Sequence, residues 1–576
     1  MANFFLDNES LKFHLTHPMM KRMVDMKEDN YKYAKEYDTA PVDFEDAMDT
    51  YEQVLEIIGE ITGDILAENA ESVDLEGPKL ICNEVIYARG TQQNHEALIN
   101  AGVYGIALPR KYNGLNFGMV PYVIAAELIA RADSSFANIW GLQDCAETIY
   151  EFASEELKNK YLPLISQGYT CSMDLTEPDA GSDLQAVQLK AAFDEKSNCW
   201  RLNGVKRFIT NGDADIKLVL ARSEEGTKDA RGLSYFLYDR KDKAITVRRI
   251  ENKLGIKGSP TCELVFNNAP AQMVGEPRLG LIKYVMTLMN GARLGVGAQS
   301  VGLSEAAYRE AEKYANEREQ FGKPIIKFPA VFEMLANMRA KTDAIRTLLY
   351  ETTRFVDMTK LLEDIARNRT LTPEERTEMK QFQRLADVYT PLLKLTSSEY
   401  SNQIAYDAIQ VHGGTGFMKD FPIERMYRDA RINSIYEGTS QLQVVAAVRG
   451  VGSGVFINRI KEYEAEPVRA EYQSLKDQLV DMTARYEKML TTAKNYENNE
   501  MYDLVSRRLV EAVGNIVMGY LLLSDTQRSK VYADSARIFI TMANAQNREK
   551  EAYVKMFSQA ELESYKTMNG LEQTID

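Results

Sequence analysis

The string Ile435-Tyr436-Glu437-Gly438-Thr439-Ser440-Gln441-Leu442-Gln443 sets one carboxylate between an aromatic residue and a glycine, just ahead of the apolar run VVAAV. Ser440 and Gln443 have the spacing of a capping box, which predicts a helix start there, and Gly438 allows a sharp approach to it. A carboxyl desolvated by Tyr436 and its neighbours has its pKa raised toward the value a general base needs. The same residue would also serve as a solvated first-turn acid favoured by the helix dipole.

Four further strings carry candidate chemistry. MDLTEPDAGSD, residues 173–183, makes an ordered turn whose amides and hydroxyls could hold a phosphate or a ring-edge oxygen, or make a plain turn. KRFITNG, residues 206–212, reads as a strand entering an Asn-Gly hairpin. EREQFGKP, residues 317–324, ends a helix in Arg318, a side chain able to grip phosphate. QVHGGTGF, residues 410–417, puts two adjacent glycines after a helix, suiting either a helix stop or close ligand approach. The four histidines lack metal-ligand spacing and the five scattered cysteines include no C-x-x-C pair, so no metal is expected.

The elements that must position these strings come in the order helical, β, helical. After an N-terminal extension (1–42), apolar residues recur at three- and four-residue intervals through 43–169. Residues 170–280 break into short, often alternating segments separated by turns, which reads as a β domain. Helical periodicity returns over 281–450, with TPEE at 372–375 marking a fresh helix start, and continues through a C-terminal extension, 451–576. This is an α+β order and not the alternation of a Rossmann sheet; the glycines at 450, 452 and 454 follow no strand and read as a hinge.

A chain of 576 residues is long for a small binding module. Its net charge of −15 disfavours nucleic acid. The apolar run at 512–523 is too short for a membrane span and reads as a core helix. No targeting segment is evident, and the scattered thiols fit a reducing cytoplasm.

Taken together, LTEPDAGSD, FITNG, ARLGVGAQSVGL, EREQFGKP, QVHGGTGF and RDARINSIYEGTSQLQ resemble the acyl-CoA dehydrogenase family of flavoproteins over nearly all of residues 50–450. The resemblance implies an N-terminal helical domain, a middle β-barrel-like domain and a C-terminal helical bundle, with FAD as cofactor. It implies that Glu437 takes the α-proton of an acyl-CoA. The Glu437 N–H, with a flavin hydroxyl, would polarise the thioester carbonyl. Met173, Leu175 and Thr176 would line the flavin, and Phe208, Ile209 and Thr210 would cover its other side. Arg318, Phe321, Gln410, Gly413 and Gly414 would contact FAD across a subunit interface, and Thr439 and Gln441 would bind it too. Ser182, Arg293 and Gly438 would contact the acyl-CoA. Electrons would pass to an electron-transfer flavoprotein.

Phe208 stands where a tryptophan is common, Pro329 where many members carry glutamine, and Asn290 where medium-chain members carry aspartate. With an insertion at 358–379 and the extra 126 C-terminal residues, these features resemble a longer bacterial branch. That branch includes 3-methylthiopropionyl-CoA and broad-range fatty-acyl-CoA dehydrogenases, and dimers are usual in it. The alternatives are an acyl-CoA oxidase, an enoyl-CoA reductase, and a non-catalytic relative that binds nucleic acid through a basic C-terminal region. Against the last, residues 451–576 carry 16 basic and 19 acidic residues.

Overall fold

The computed structural model describes residues 2–571. Its middle β region contains seven strands: β3 (Cys171–Asp174), β4 (Lys190–Asp194), β5 (Cys199–Thr210), β6 (Ile216–Arg222), β7 (Leu233–Asp239), β8 (Ile245–Ile250) and β9 (Thr261–Met273). The hairpin strands β1 (Lys79–Ile81) and β2 (Glu84–Ile86) precede them. Pairing runs β6–β4–β5–β9–β7 and returns to β6, so five strands close a ring; β3 flanks β6 and β8 flanks β9. Alternation along β6 explains the two faces. Val219 and Ala221 join the barrel interior with Leu202, Phe236 and Leu264. Ile216, Leu218 and Leu220 pack against the first helical region through Ile149, Leu162 and Ile165.

Two 40-residue helices, Pro329–Asn368 and Pro373–His412, form an antiparallel pair beside the Met286–Glu317 helix. The turn between the pair is fixed by a reciprocal cap: Glu375 N–H donates to Thr372 Oγ1 at 3.2 Å, and Thr372 N–H to the Glu375 carboxylate at 2.8 Å. One apolar core takes in the N-terminal arm (Phe5, Leu15), the first helical region, this pair and the C-terminal helices (Val513, Ile516, Phe539). At its centre Arg346 is fully buried, its guanidinium shared between Glu127 at 2.9 Å and Glu305 at 2.7 Å. Burial pushes the Glu305 carboxyl up, but Arg346, Arg309 and Arg339 together outweigh it and hold the group well below the usual range. The Asn499–Arg528 helix is long and apolar enough to cross a membrane, and most of its apolar stretch is buried inside the fold.

The architecture matches the expected α+β order. Three local readings change. Residues 43–169 are not wholly helical: they carry the β1–β2 hairpin, whose mostly exposed three-residue strands are too short to impose a period. Asn211-Gly212 closes no hairpin. Asn211 does adopt a left-handed turn (φ +53°), but β5 pairs with β4 and β9, while β6 runs parallel to β3. The helix cap before VVAAV is Thr439, whose side chain accepts from Leu442 N–H; Ser440 is already helical and donates instead to Glu399.

Candidate functional site

Glu437 lies in the short loop before the Ser440–Gly452 helix, and both Glu437 (φ +54°) and Gly438 (φ +91°) are left-handed. A non-glycine residue in that region stores strain that surrounding contacts must hold. Here three helices supply them. Arg293, on the Met286–Glu317 helix, donates to the Glu437 carbonyl at 3.4 Å. Lys394, on the Pro373–His412 helix, donates to the Gly438 carbonyl at 2.7 Å. Gln443 reaches back and donates to both carbonyls, at 3.3 and 3.0 Å, which is its role in place of a capping box. Tyr436 is anchored in turn by Gln299 and by Asn138 at 3.2 Å.

Burial raises the Glu437 carboxyl above the ordinary glutamate range, while the Arg293 and Lys394 charges oppose the shift. The result is a carboxyl disposed to take a proton while its main chain is held in one conformation. Glu437 N–H has no hydrogen-bond acceptor among the described residues, so it is available to a ligand oxygen.

A second group forms where β3 leaves the sheet. Arg207 N–H donates to the Thr176 carbonyl at 2.9 Å, joining the 173–177 segment to β5. Lys206, fully buried, donates to the Leu175 carbonyl at 2.8 Å and to Glu177 at 2.9 Å, fixing the same turn from beneath. The β5–β9 register slips between Lys206 and Ile209, and Phe208 at this bulge is left-handed (φ +61°) with half its surface exposed. Met173, Leu175, Thr176, Phe208, Ile209 and Thr210 are thereby brought together, with Ser182 exposed on the following turn.

A third group does not join them within one chain. Arg318 follows the end of the Met286–Glu317 helix, 25 residues beyond Arg293, which is roughly 37 Å at the helical rise. Phe321 there is 93% exposed. Gln410, Gly413 and Gly414 lie at the end of the Pro373–His412 helix, joined to this region by His412 stacking on Tyr314 and by Thr415 donating to Tyr314 at 3.0 Å. Thr439 and Gln441 stay at the Glu437 loop, Gln441 facing solvent. The sequence alone gives no role to Lys394 or Gln299, and marks Lys206 only as the start of the 206–212 string. Their one local signal is a polar residue inside an apolar helical or strand run.

The chain matches four family descriptions: the acyl-CoA dehydrogenase N-terminal domain over 82–169, the middle domain over 172–269, the C-terminal domain over 282–452, and a further acyl-CoA dehydrogenase C-terminal region over 452–562. It is 35% identical to an acryloyl-CoA reductase (NADH) of Anaerotignum propionicum across 62% of this chain and 86% of that protein. It is 31% identical to a 3-methylmercaptopropionyl-CoA dehydrogenase of Ruegeria pomeroyi, across 69% and 71%. An acyl-CoA dehydrogenase of Bacillus anthracis complexed with FAD has the same fold, with a TM-score of 0.75 at 23% identity over 91% of this chain and 92% of that one.

Proposed function

The chain belongs to the acyl-CoA dehydrogenase family of FAD-dependent oxidoreductases, and on that premise we propose that Glu437 is the base that removes the α-proton of an acyl-CoA thioester in its conversion to a trans-2-enoyl-CoA. The observation that carries this reading is the Glu437 carboxyl, raised by burial and presented from a left-handed loop held by Arg293, Lys394 and Gln443. The unused Glu437 N–H supports it, since an N–H aimed at the thioester carbonyl acidifies the α-carbon. Loss of the α-proton and of the β-hydride together leaves the new double bond, so atoms and electrons balance only with a two-electron acceptor.

FAD, when bound, supplies that acceptor. The residues of this chain fit such a group. The half-exposed Phe208 stands beside the 173–177 turn, and Gly413 and Gly414 have no neighbouring atom where a side chain would project. Arg318 and Phe321 lie beyond the far end of the helix that carries Arg293, too far to serve the Glu437 of their own chain. That distance supports a homodimer in which they complete the partner's cofactor site. Passage of electrons to an electron-transfer flavoprotein belongs to the same proposal. The reductase relative supports a second reading, hydride return to an enoyl-CoA, in which Glu437 delivers the α-proton.

Anaerobic titration of the FAD-loaded protein with a panel of acyl-CoA thioesters tests the proposal. Bleaching of the flavin by some members, with enoyl-CoA as product, is the expected result. A flavin that no acyl-CoA bleaches and no enoyl-CoA reoxidises would refute it.

A further inference from the structure

Lys394 is a fully buried ammonium lying in a stretch of the Pro373–His412 helix where Leu392, Leu393, Leu395 and Thr396 are also buried. Among the described residues it makes no hydrogen bond to a carboxylate; its one bond is to the Gly438 carbonyl, at 2.7 Å. A charged amine in such a place costs free energy unless a hydrogen bond or an opposite charge compensates it. Burial lowers its pKa to about 8.

The charged groups that face Lys394 are Glu437 from the loop, Arg293 from the Met286–Glu317 helix, and Glu399 from its own helix. Glu399 is already engaged, accepting from Ser440 at 2.5 Å and pairing with Arg507 at 3.3 Å. That leaves Glu437 as the carboxylate its charge serves. Tyr436 also adjoins the carboxyl and stays neutral, its hydroxyl pushed up by burial. Gln443 duplicates the hydrogen bond to Gly438 but brings no charge.

We propose that Lys394 is a positioning residue for the base: its hydrogen bond fixes the Gly438 peptide, and its charge keeps the Glu437 carboxyl ionisable in its buried setting. This rests on Glu437 being the base. Lys394 touches neither substrate nor cofactor in this account and acts through Glu437 alone.

The test uses FAD-loaded full-length protein carrying Lys394→Met, Lys394→Gln or Lys394→Arg, with anaerobic bleaching by butyryl-CoA followed by stopped flow from about pH 5 to about pH 9. Removing a positive neighbour raises a carboxyl pKa, so the acid limb of the profile moves up by ~1 unit in the Met and Gln variants. Below that limb the rate falls about tenfold at a given pH. Lys394→Arg keeps the limb in place. Flavin content and thermal melting confirm that the variants are loaded and folded.

An acid limb unmoved in both the Met and Gln variants overturns the proposal. A limb that moves in Met but not in Gln also overturns it, because the hydrogen bond alone then suffices. Failure of both variants to accumulate as FAD-binding protein overturns it too, since Lys394 would then be needed for folding. Undiminished bleaching by Glu437→Gln would instead mark failure of the base assignment itself, and the Lys394 proposal would fall with it.

Discussion

Replacing Gly438 by alanine perturbs the loop at its tightest point. The backbone there has φ +91°, beyond the left-handed well that L-residues tolerate. A β-carbon would stand 2.7 Å from Gln443 Nε2. Conformational strain of about 1–2 kcal/mol follows from the backbone alone. Gln443 is buried and cannot swing to solvent, so displacing its amide forfeits the bonds to the Glu437 and Gly438 carbonyls, about 1 kcal/mol each. The sum, roughly 3–4 kcal/mol, falls on the orientation of the Glu437 carboxyl and predicts a drop of about 10² to 10³ in the rate of flavin bleaching. Stopped-flow reduction under anaerobic conditions reads it. Gly226→Ala is the control: its φ is +75° with no atom within 4 Å, so it carries strain without the clash and leaves the bleaching rate unchanged. A Gly438→Ala protein that bleaches at the wild-type rate refutes the reasoning.

Glu437→Gln is expected to stabilise the fold at neutral pH. The folded carboxyl binds its proton more tightly than the unfolded one, so its contribution is fully present below the ordinary glutamate range and is lost as pH rises through the raised value. Thermal melting of the two proteins should differ at about pH 7 and converge near about pH 4; equal melting at both would contradict the shift. Arg346→Met leaves Glu127 and Glu305 facing each other without their shared cation, and costs about 3–5 kcal/mol, seen as a lower unfolding midpoint. Arg318→Ala combined with Phe321→Ala should lower FAD content and the dimer fraction in size-exclusion chromatography without lowering the melting point of the apoprotein. Retention of both would count against a shared cofactor site.

The parts legible in the sequence are those encoded over a few residues. Thr372, Pro373 and Glu375 announce their cap directly, and the near-continuous apolar runs of β6 and β7 mark strands buried on both faces. Ser440 and Gln443 satisfy the same capping pattern yet do something else, because Thr439 one position earlier offers an equivalent hydroxyl and tertiary contacts choose between them. Asn211-Gly212 carries a true turn signal, but β6 pairs with β7 and with β3, which lies some 45 residues earlier, and not with β5; that choice of partners has no local trace. Glu437 stands out from its neighbours Tyr436 and Gly438, whereas its electrostatic setting does not. Lys394 is 43 residues away in sequence, and only the packing of two helices brings it beneath the loop.

The most direct measurement is anaerobic flavin bleaching by a reactive acyl-CoA in wild-type and Glu437→Gln proteins loaded with equal FAD. The account predicts that loss of the positioned base slows bleaching by at least about 10²- to 10⁴-fold while acyl-CoA still binds. Bleaching by Glu437→Gln at near the wild-type rate would contradict it.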